Sequence, residues 1–277
     1  MKSCFAVIAV LLCSTVVNTQ TGWKELDPEN VLVIDTSKGR VFVEMRPDMA
    51  PESVARVKLL TREGTYDGLQ FHRVIAHFVA QTGNPNNRDG GVSTHPDVPA
   101  EFMFRFKPHT SEVMATDASD GVSGFLGSVP FQGVSLADAS RRPDGLLRAW
   151  GAYCSGVVGM GRQAAPNSGN SEIFFTLDAS RRLDRDYTVW GRVIDGFSVL
   201  LALAVGEPPA QPDVMTRVRV LGDVPAGERP DVSLADRSVL AELIARVRNL
   251  RGADFSVCDV EVPVRIGRPA SPRDGRE

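Results

Sequence analysis

Apolar residues fall mostly into short runs of four to eight, separated by Gly, Asn, Pro and Asp, and this spacing predicts strands more often than helices. VLVIDT (31–36) and RVFVEM (40–45) flank Ser37-Lys38-Gly39 and predict a β-hairpin. APESVARVKLLTREG (50–64) changes period: Val54, Val57 and Leu60 share one face, Pro51 suits a first helical turn and Gly64 stops the run. LQFHRVI, HFVAQTG, GVVGMG, EIFFTL and YTVWGRV follow as strand candidates. Many short strands with one early helix predict a mainly β domain, an antiparallel barrel closed on itself with flanking helices.

Two stretches break this pattern. Between Phe106 and Trp150 the period weakens, and SDGVSGFLGSVPFQGVSLAD is rich in glycine, so about 107–150 reads as a long structured loop inserted into the barrel, with Phe125, Leu126 and Phe131 packing part of it down. Beyond 205 the chain is proline-rich around one short strand. LADRSVLAELIARVRNLRG (234–252) then carries a helical stripe of Val239, Leu240, Leu243, Ile244, Val247 and Leu250. SVCDVEVPVRIG (256–267) alternates with period two and reads as an edge strand, because Pro263 has no N–H for a ladder. The expected organisation is a connector at 21–30, a barrel domain at 31–205 and a helix–strand extension at 206–277 that packs on it.

The N-terminus reads differently again. One lysine precedes an apolar run from Cys4 to Val17, shorter than the ~20 residues of a membrane span and typical of a secretory signal. We therefore expect a signal peptide over 1–20, cut between Val17 and Gly22, no stable membrane span after its removal, and a periplasmic mature chain. Removal leaves Cys154 and Cys258 as the remaining cysteines, and in an oxidising compartment two cysteines invite a disulfide; two separate buried thiols are the alternative.

Composition narrows the partners. The chain has 277 residues, 43% of them hydrophobic, enough to bury a sizeable core. Its 31 Lys and Arg against 34 Asp and Glu give no strong field, which argues against nucleic acid as a partner. The four histidines show no paired ligand spacing, so neither a metal site nor any other cofactor is expected. The composition leaves the oligomeric state open.

The candidate chemistry lies in FHRVIAHFVAQTG (71–83), where Arg73 stands among apolar side chains with no obvious carboxylate beside it. A lone strand arginine commonly snorkels to a surface acid. Here the context points elsewhere: this block, followed by GVVGMGR, PNSGNSEIFFTL and YTVWGRV, resembles the cyclophilin family of peptidyl-prolyl cis-trans isomerases over about 31–205. The resemblance implies a barrel that rotates X-Pro bonds in proline-containing polypeptides, assisting the folding of exported proteins. It makes Arg73 the catalytic arginine and Gln81 its neighbour. Phe78 and Val79 correspond to the apolar floor, Phe174 and Leu183 to the proline pocket, and Tyr187 to a position where many members carry histidine. Gly161 and Arg162 lie on the segment whose backbone would grip the residue before proline. Two positions depart from the family pattern: Glu172 stands where glutamine is usual, and Arg182 where sensitive members carry the tryptophan that contacts cyclosporin. A binding module or chaperone on the same scaffold, with little catalysis, is the competing reading.

Overall fold

The computed structural model describes residues 22–267; the expected signal peptide lies outside them. No helix among the described residues is long and apolar enough to cross a membrane.

Among the described residues, sixteen strands form three sheets. The largest has eight strands: β2 (Val31–Thr36), β3 (Gly39–Met45), β4 (Arg73–Ile75), β5 (Val79–Thr82), β11 (Val157–Met160), β12 (Ile173–Thr176), β13 (Val189–Asp195) and β14 (Met215–Val220). Their order is β14-β2-β3-β13-β11-β12-β5-β4, with antiparallel neighbours throughout. The expected hairpin is β2–β3, in register from Val31↔Glu44 to Thr36↔Gly39. Gly39 turns it with φ 139°, backbone that an L side chain rarely adopts. The sheet curls so far that its two edge segments meet through single bridges, Gln70↔Val214 and Val74↔Gly206, rather than a continuous ladder.

Helix α1 (Pro51–Arg62) occupies the predicted segment, with Pro51 in its first turn, and buries Val54, Val57 and Leu60 against the curled sheet. Leu32, Ile34, Val43, Phe71, Phe175 and Trp190 fill the interior beneath it. Burying one such side chain contributes on the order of 1.5–3 kcal/mol, and this shared core holds the strands that carry Arg73 and Gln81 in place.

The stretch read as an inserted loop is a second sheet. β6 (Phe104–Phe106), β7 (Glu112–Ala118), β8 (Gly121–Leu126), β9 (Val129–Gly133) and β10 (Leu147–Gly151) order as β6-β10-β9-β8-β7, with a short helix, α2 (Leu136–Arg141), between β9 and β10. Gly121, Gly124 and Gly133 are strand residues, not loop residues. A Cβ on Gly124 would stand 2.5 Å from the Val113 carbonyl and 3.0 Å from the Phe131 ring, so the close packing of β7, β8 and Phe131 selects glycine there.

Three further differences concern the chain beyond the barrel. β14 pairs with β2, so the eight-stranded sheet runs past the expected boundary at 205 to Val220. After the short α3 (Phe197–Leu201), the predicted C-terminal helix is α4 (Arg237–Arg251), capped by Asp236, whose carboxylate accepts from the N–H groups of Ser238 and Val239. The expected edge strand is mostly not a strand: residues 257–259 form a 3₁₀ turn, and only β16 (Val264–Ile266) pairs, with β15 (Val232–Ala235). The alternation is still real, because Val260 and Val262 are buried and Glu261 is exposed. The segment expected as a connector supplies β1 (Trp23–Glu25), which pairs with the other edge of β15. Cys154 and Cys258 form a disulfide, Cα–Cα 5.1 Å apart, which ties the C-terminal segment to the barrel just before β11.

Candidate active site

All ten residues expected at the site, from Arg73 to Tyr187, line one open cavity of about 240 Å³. Three neighbouring strands bring them together. β4 pairs with β5 so that Arg73 stands opposite Gln81, and β12 pairs with β5 so that Phe174 stands opposite Gln81 on its other side. Gly161 follows β11, and the 3₁₀ turn at 181–183 closes the rim with Leu183.

The apolar half is built from aromatic rings. Phe174 stacks on Tyr153 at 5.7 Å between centroids and meets Tyr187 edge-on at 5.6 Å. Gly159 must be glycine for this, since a Cβ there would lie 2.3 Å from the Phe174 ring. Phe78 covers one side, with the Arg182 guanidinium 4.4 Å above its face. Arg162 packs over Tyr187 at 4.6 Å while its Nη2 pairs with Asp186 at 2.7 Å.

The polar half is a relay of oriented amides and acids. Arg73 Nη1 donates to Gln81 Oε1 at 2.8 Å, and Gln81 Nε2 donates to Glu172 Oε1. Asn84 Nδ2 donates to the other oxygen of the same carboxylate. Glu172 therefore acts on Arg73 through Gln81, because an ionised carboxylate can only accept from the amide nitrogen and this turns the Gln81 carbonyl toward the arginine. Burial pushes the Glu172 carboxyl above its ordinary value, although the Gln81 and Asn84 hydrogen bonds favour the ionised form, while nearby Asp89 raises it further. Gly161 uses its N–H on the Glu172 carbonyl at 2.8 Å, so of its backbone groups the carbonyl is left for a ligand.

Arg73 also has a carboxylate partner that the sequence did not reveal. Its Nε lies 2.6 Å from Glu207 Oε2, on the segment that leads into β14. With Nε and Nη1 held, Nη2 has no hydrogen-bond partner among the described residues.

Three more residues were missed. Asp89 lines the cavity from the glycine- and asparagine-rich turn after β5. Asn84 orients Glu172. His72 is buried, with neither ring nitrogen hydrogen-bonded, a state that ordinarily costs about 1–3 kcal/mol per unsatisfied group. Burial lowers its pKa, and the Arg73 charge lowers it further against the opposing pull of Asp89. A second cavity, of about 230 Å³, lies between β13 and the C-terminal segment, beside buried Arg192 and Cys258; none of the expected pocket residues reaches it.

An arginine held from two sides at the edge of an aromatic pocket, on a curled antiparallel sheet, defines a site that binds a small apolar ring and presents one directed cation to it. The profile of the family described as cyclophilin type peptidyl-prolyl cis-trans isomerase/CLD matches residues 31–220. This chain belongs to that family. It is 34% identical over 185 residues to a probable peptidyl-prolyl cis-trans isomerase of Brucella suis, covering 63% of this chain and 71% of that one. It is 27% identical over 170 residues to a peptidyl-prolyl cis-trans isomerase-like 1 of Rhizopus delemar, covering 61% and 76%. The crystal structure of cyclophilin AquaCyp293 from Hirschia baltica superposes with a TM-score of 0.82 at 31% identity, over 89% of this chain and 94% of that one. That match extends well beyond the family's own 31–220, so the additional segments have a structural counterpart there too.

Proposed function

We propose that Arg73 drives the isomerisation of X-Pro bonds at this site and that the mature chain does so in the periplasm, on other exported proteins. The observation that carries the catalytic assignment is the two-sided hold on the Arg73 guanidinium, by Gln81 and Glu207, beside the Phe78–Phe174–Leu183 pocket. Amide resonance sets a rotation barrier of about 18–20 kcal/mol. During rotation the prolyl nitrogen loses conjugation and gains a lone pair, so a donor fixed beside it binds the twisted amide more tightly than either planar form. Arg73 Nη2 supplies that donor. Arginine fits because it stays charged and its fork is rigid, and a fork already held at two nitrogens needs little reordering in the transition state.

Phe78, Val79, Phe174 and Leu183 hold the proline ring, while the Gly161 carbonyl and the Arg162 backbone hold the residue before it. No covalent step or cofactor enters this scheme. The export assignment rests on the apolar N-terminal run and on a disulfide that an oxidising compartment would maintain.

The test is the exchange rate of a short X-Pro peptide, followed by NMR line shape with the untagged mature chain and with Arg73→Ala. Acceleration by the wild type and its loss in a folded variant support the reading. Equal acceleration by both proteins excludes Arg73, and no acceleration by either leaves the binding-module alternative. Fractionation of expressing cells, with N-terminal sequencing of the periplasmic protein, tests export.

A further inference from the structure

Beside the arginine lies a set of three groups of which only Glu172 takes part in the Arg73 relay. His72 lies on the segment leading into β4, Asp89 on the turn after β5, and Glu172 immediately before β12. One ligand atom from each lies within 4.8 Å of the others. His72 Nε2 stands 3.8 Å from Glu172 Oε2. Two donors on a tetrahedral ion at about 2.1 Å are separated by roughly 3.4 Å, so this pair needs to close by only a few tenths of an ångström. Asp89 is exposed, and its Oδ1 already lies toward the cluster, accepting from Gln81 Nε2 at 3.5 Å.

Two independent features point to a ligand here. The first is His72 itself: it is 4% exposed, and both ring nitrogens are unpartnered, with one of them facing a carboxylate. A buried imidazole ordinarily finds a donor or acceptor, so an unpaired nitrogen aimed at an acid is a group prepared for a third party. The second is the support around Glu172. Gln81 and Asn84 each donate to one of its oxygens, fixing the plane of the carboxylate as outer-shell partners fix a metal ligand. Each oxygen keeps a further lone pair.

We propose that His72, Glu172 and Asp89 bind one divalent first-row transition cation, with water completing its shell. One imidazole and two carboxylates suit zinc, cobalt or manganese, and with no thiolate among the donors nothing selects copper(I). The three donors sit on separate segments, so they leave no short-range spacing in the sequence. The site adjoins the proline pocket, since Glu172 and Asp89 also line that cavity, and Glu172 is shared with the Arg73 relay, whereas His72 lies outside the pocket lining. The proposal does not depend on the isomerase reading.

Zinc titration of the untagged mature chain by calorimetry tests it, together with the visible absorption of cobalt as a report on ligand number. The expected result is saturable binding of one zinc per chain, weakened at least about tenfold in Asp89→Asn and in His72→Ala and unchanged in His95→Ala, which removes the exposed His95–Glu63 pair. Asp89 is exposed, so its variant should fold even if His72→Ala does not. Absence of saturable binding overturns the proposal, as does binding that Asp89→Asn leaves unchanged or that His95→Ala abolishes.

Discussion

Glu207 Oε2 lies 2.6 Å from Arg73 Nε across 134 residues of sequence, and it holds the guanidinium from the side opposite Gln81. The pair is partly solvated, with Glu207 about half exposed, and exposed ion pairs contribute about 0–1 kcal/mol. Glu207 is thus a positioning residue. Glu207→Ala should lower kcat for an X-Pro peptide by no more than about fivefold and leave KM nearly unchanged, because the arginine acts on the twisted amide rather than on the ground state. A large rise in KM would show that Glu207 contacts substrate instead.

Arg73→Ala removes the donor itself. A loss of at least about tenfold in kcat/KM is expected, or ~1.4 kcal/mol of transition-state stabilisation, with the melting temperature little changed because the side chain is partly exposed at the pocket edge. Gln81→Ala should give an intermediate loss, since Glu207 still holds Nε. If Gln81→Ala and Arg73→Ala are equally inactive and equally folded, the glutamine does more than orient.

Glu172 gives the site a pH dependence. Its carboxyl titrates above the ordinary ~4.3 because it is buried. As pH falls through that raised value the acid gains a proton and becomes a donor, so it can no longer accept from both Gln81 and Asn84. The hold on Arg73 then loosens. An acid limb in kcat/KM is expected above the ordinary carboxylate range, and Glu172→Gln should remove it while keeping neutral-pH activity within about tenfold. Stability moves the other way. The folded chain keeps this proton to higher pH than the unfolded chain, so between the ordinary and the raised value this group makes stability fall as pH rises. The difference in melting temperature between wild type and variant across that window measures it, and a parallel pair of curves would sink the assignment.

Arg182 caps Phe78 at 4.4 Å where sensitive members of the family carry a tryptophan. A guanidinium lacks the flat apolar indole face and cannot bury against an apolar macrocycle without losing hydration. Cyclosporin should therefore inhibit weakly, and Arg182→Trp should tighten inhibition. Submicromolar inhibition of the unmodified chain would mean that another residue supplies the contact.

The pocket was legible because its residues sit in short blocks whose order encodes strand pairing: once FHRVIAHFVAQTG and PNSGNSEIFFTL are adjacent strands, Arg73, Gln81 and Phe174 must face one another. Glu207 was not legible, because its contact depends on the far edge of the curled sheet meeting β4, as Val74↔Gly206 does. The second sheet was lost for a different reason. Its glycines at 121, 124 and 133 weaken any period-two signal, and only the covering by Phe131 and the neighbouring backbones explains why glycine is needed there. In 256–267 the alternation reported burial correctly but not pairing, since Val260 and Val262 pack inward from backbone that joins no ladder until Val264.

The disulfide tests how far the C-terminal segment supports the site. Cys154–Cys258 spans 104 residues, and a loop near that length corresponds to roughly 4.7 kcal/mol in the chain-entropy account, an upper figure because residual structure in the unfolded chain reduces it. Denatured, unreduced mature protein should show no titratable thiol. Reduction should lower the melting temperature and raise hydrogen exchange first over 256–266, where few backbone ladder bonds anchor the chain. The pocket is not wholly insulated from this, because Tyr153, next to Cys154, stacks under Phe174 at 5.7 Å. Tyr153 is nevertheless held independently: its hydroxyl donates to the Thr188 carbonyl at 3.2 Å and its N–H to Asp184 at 2.9 Å. Isomerisation should therefore survive reduction with kcat/KM within about tenfold at temperatures where the chain stays folded. Loss of activity before any change in exchange at 256–266 would show instead that the bridge holds the aromatic floor of the pocket directly.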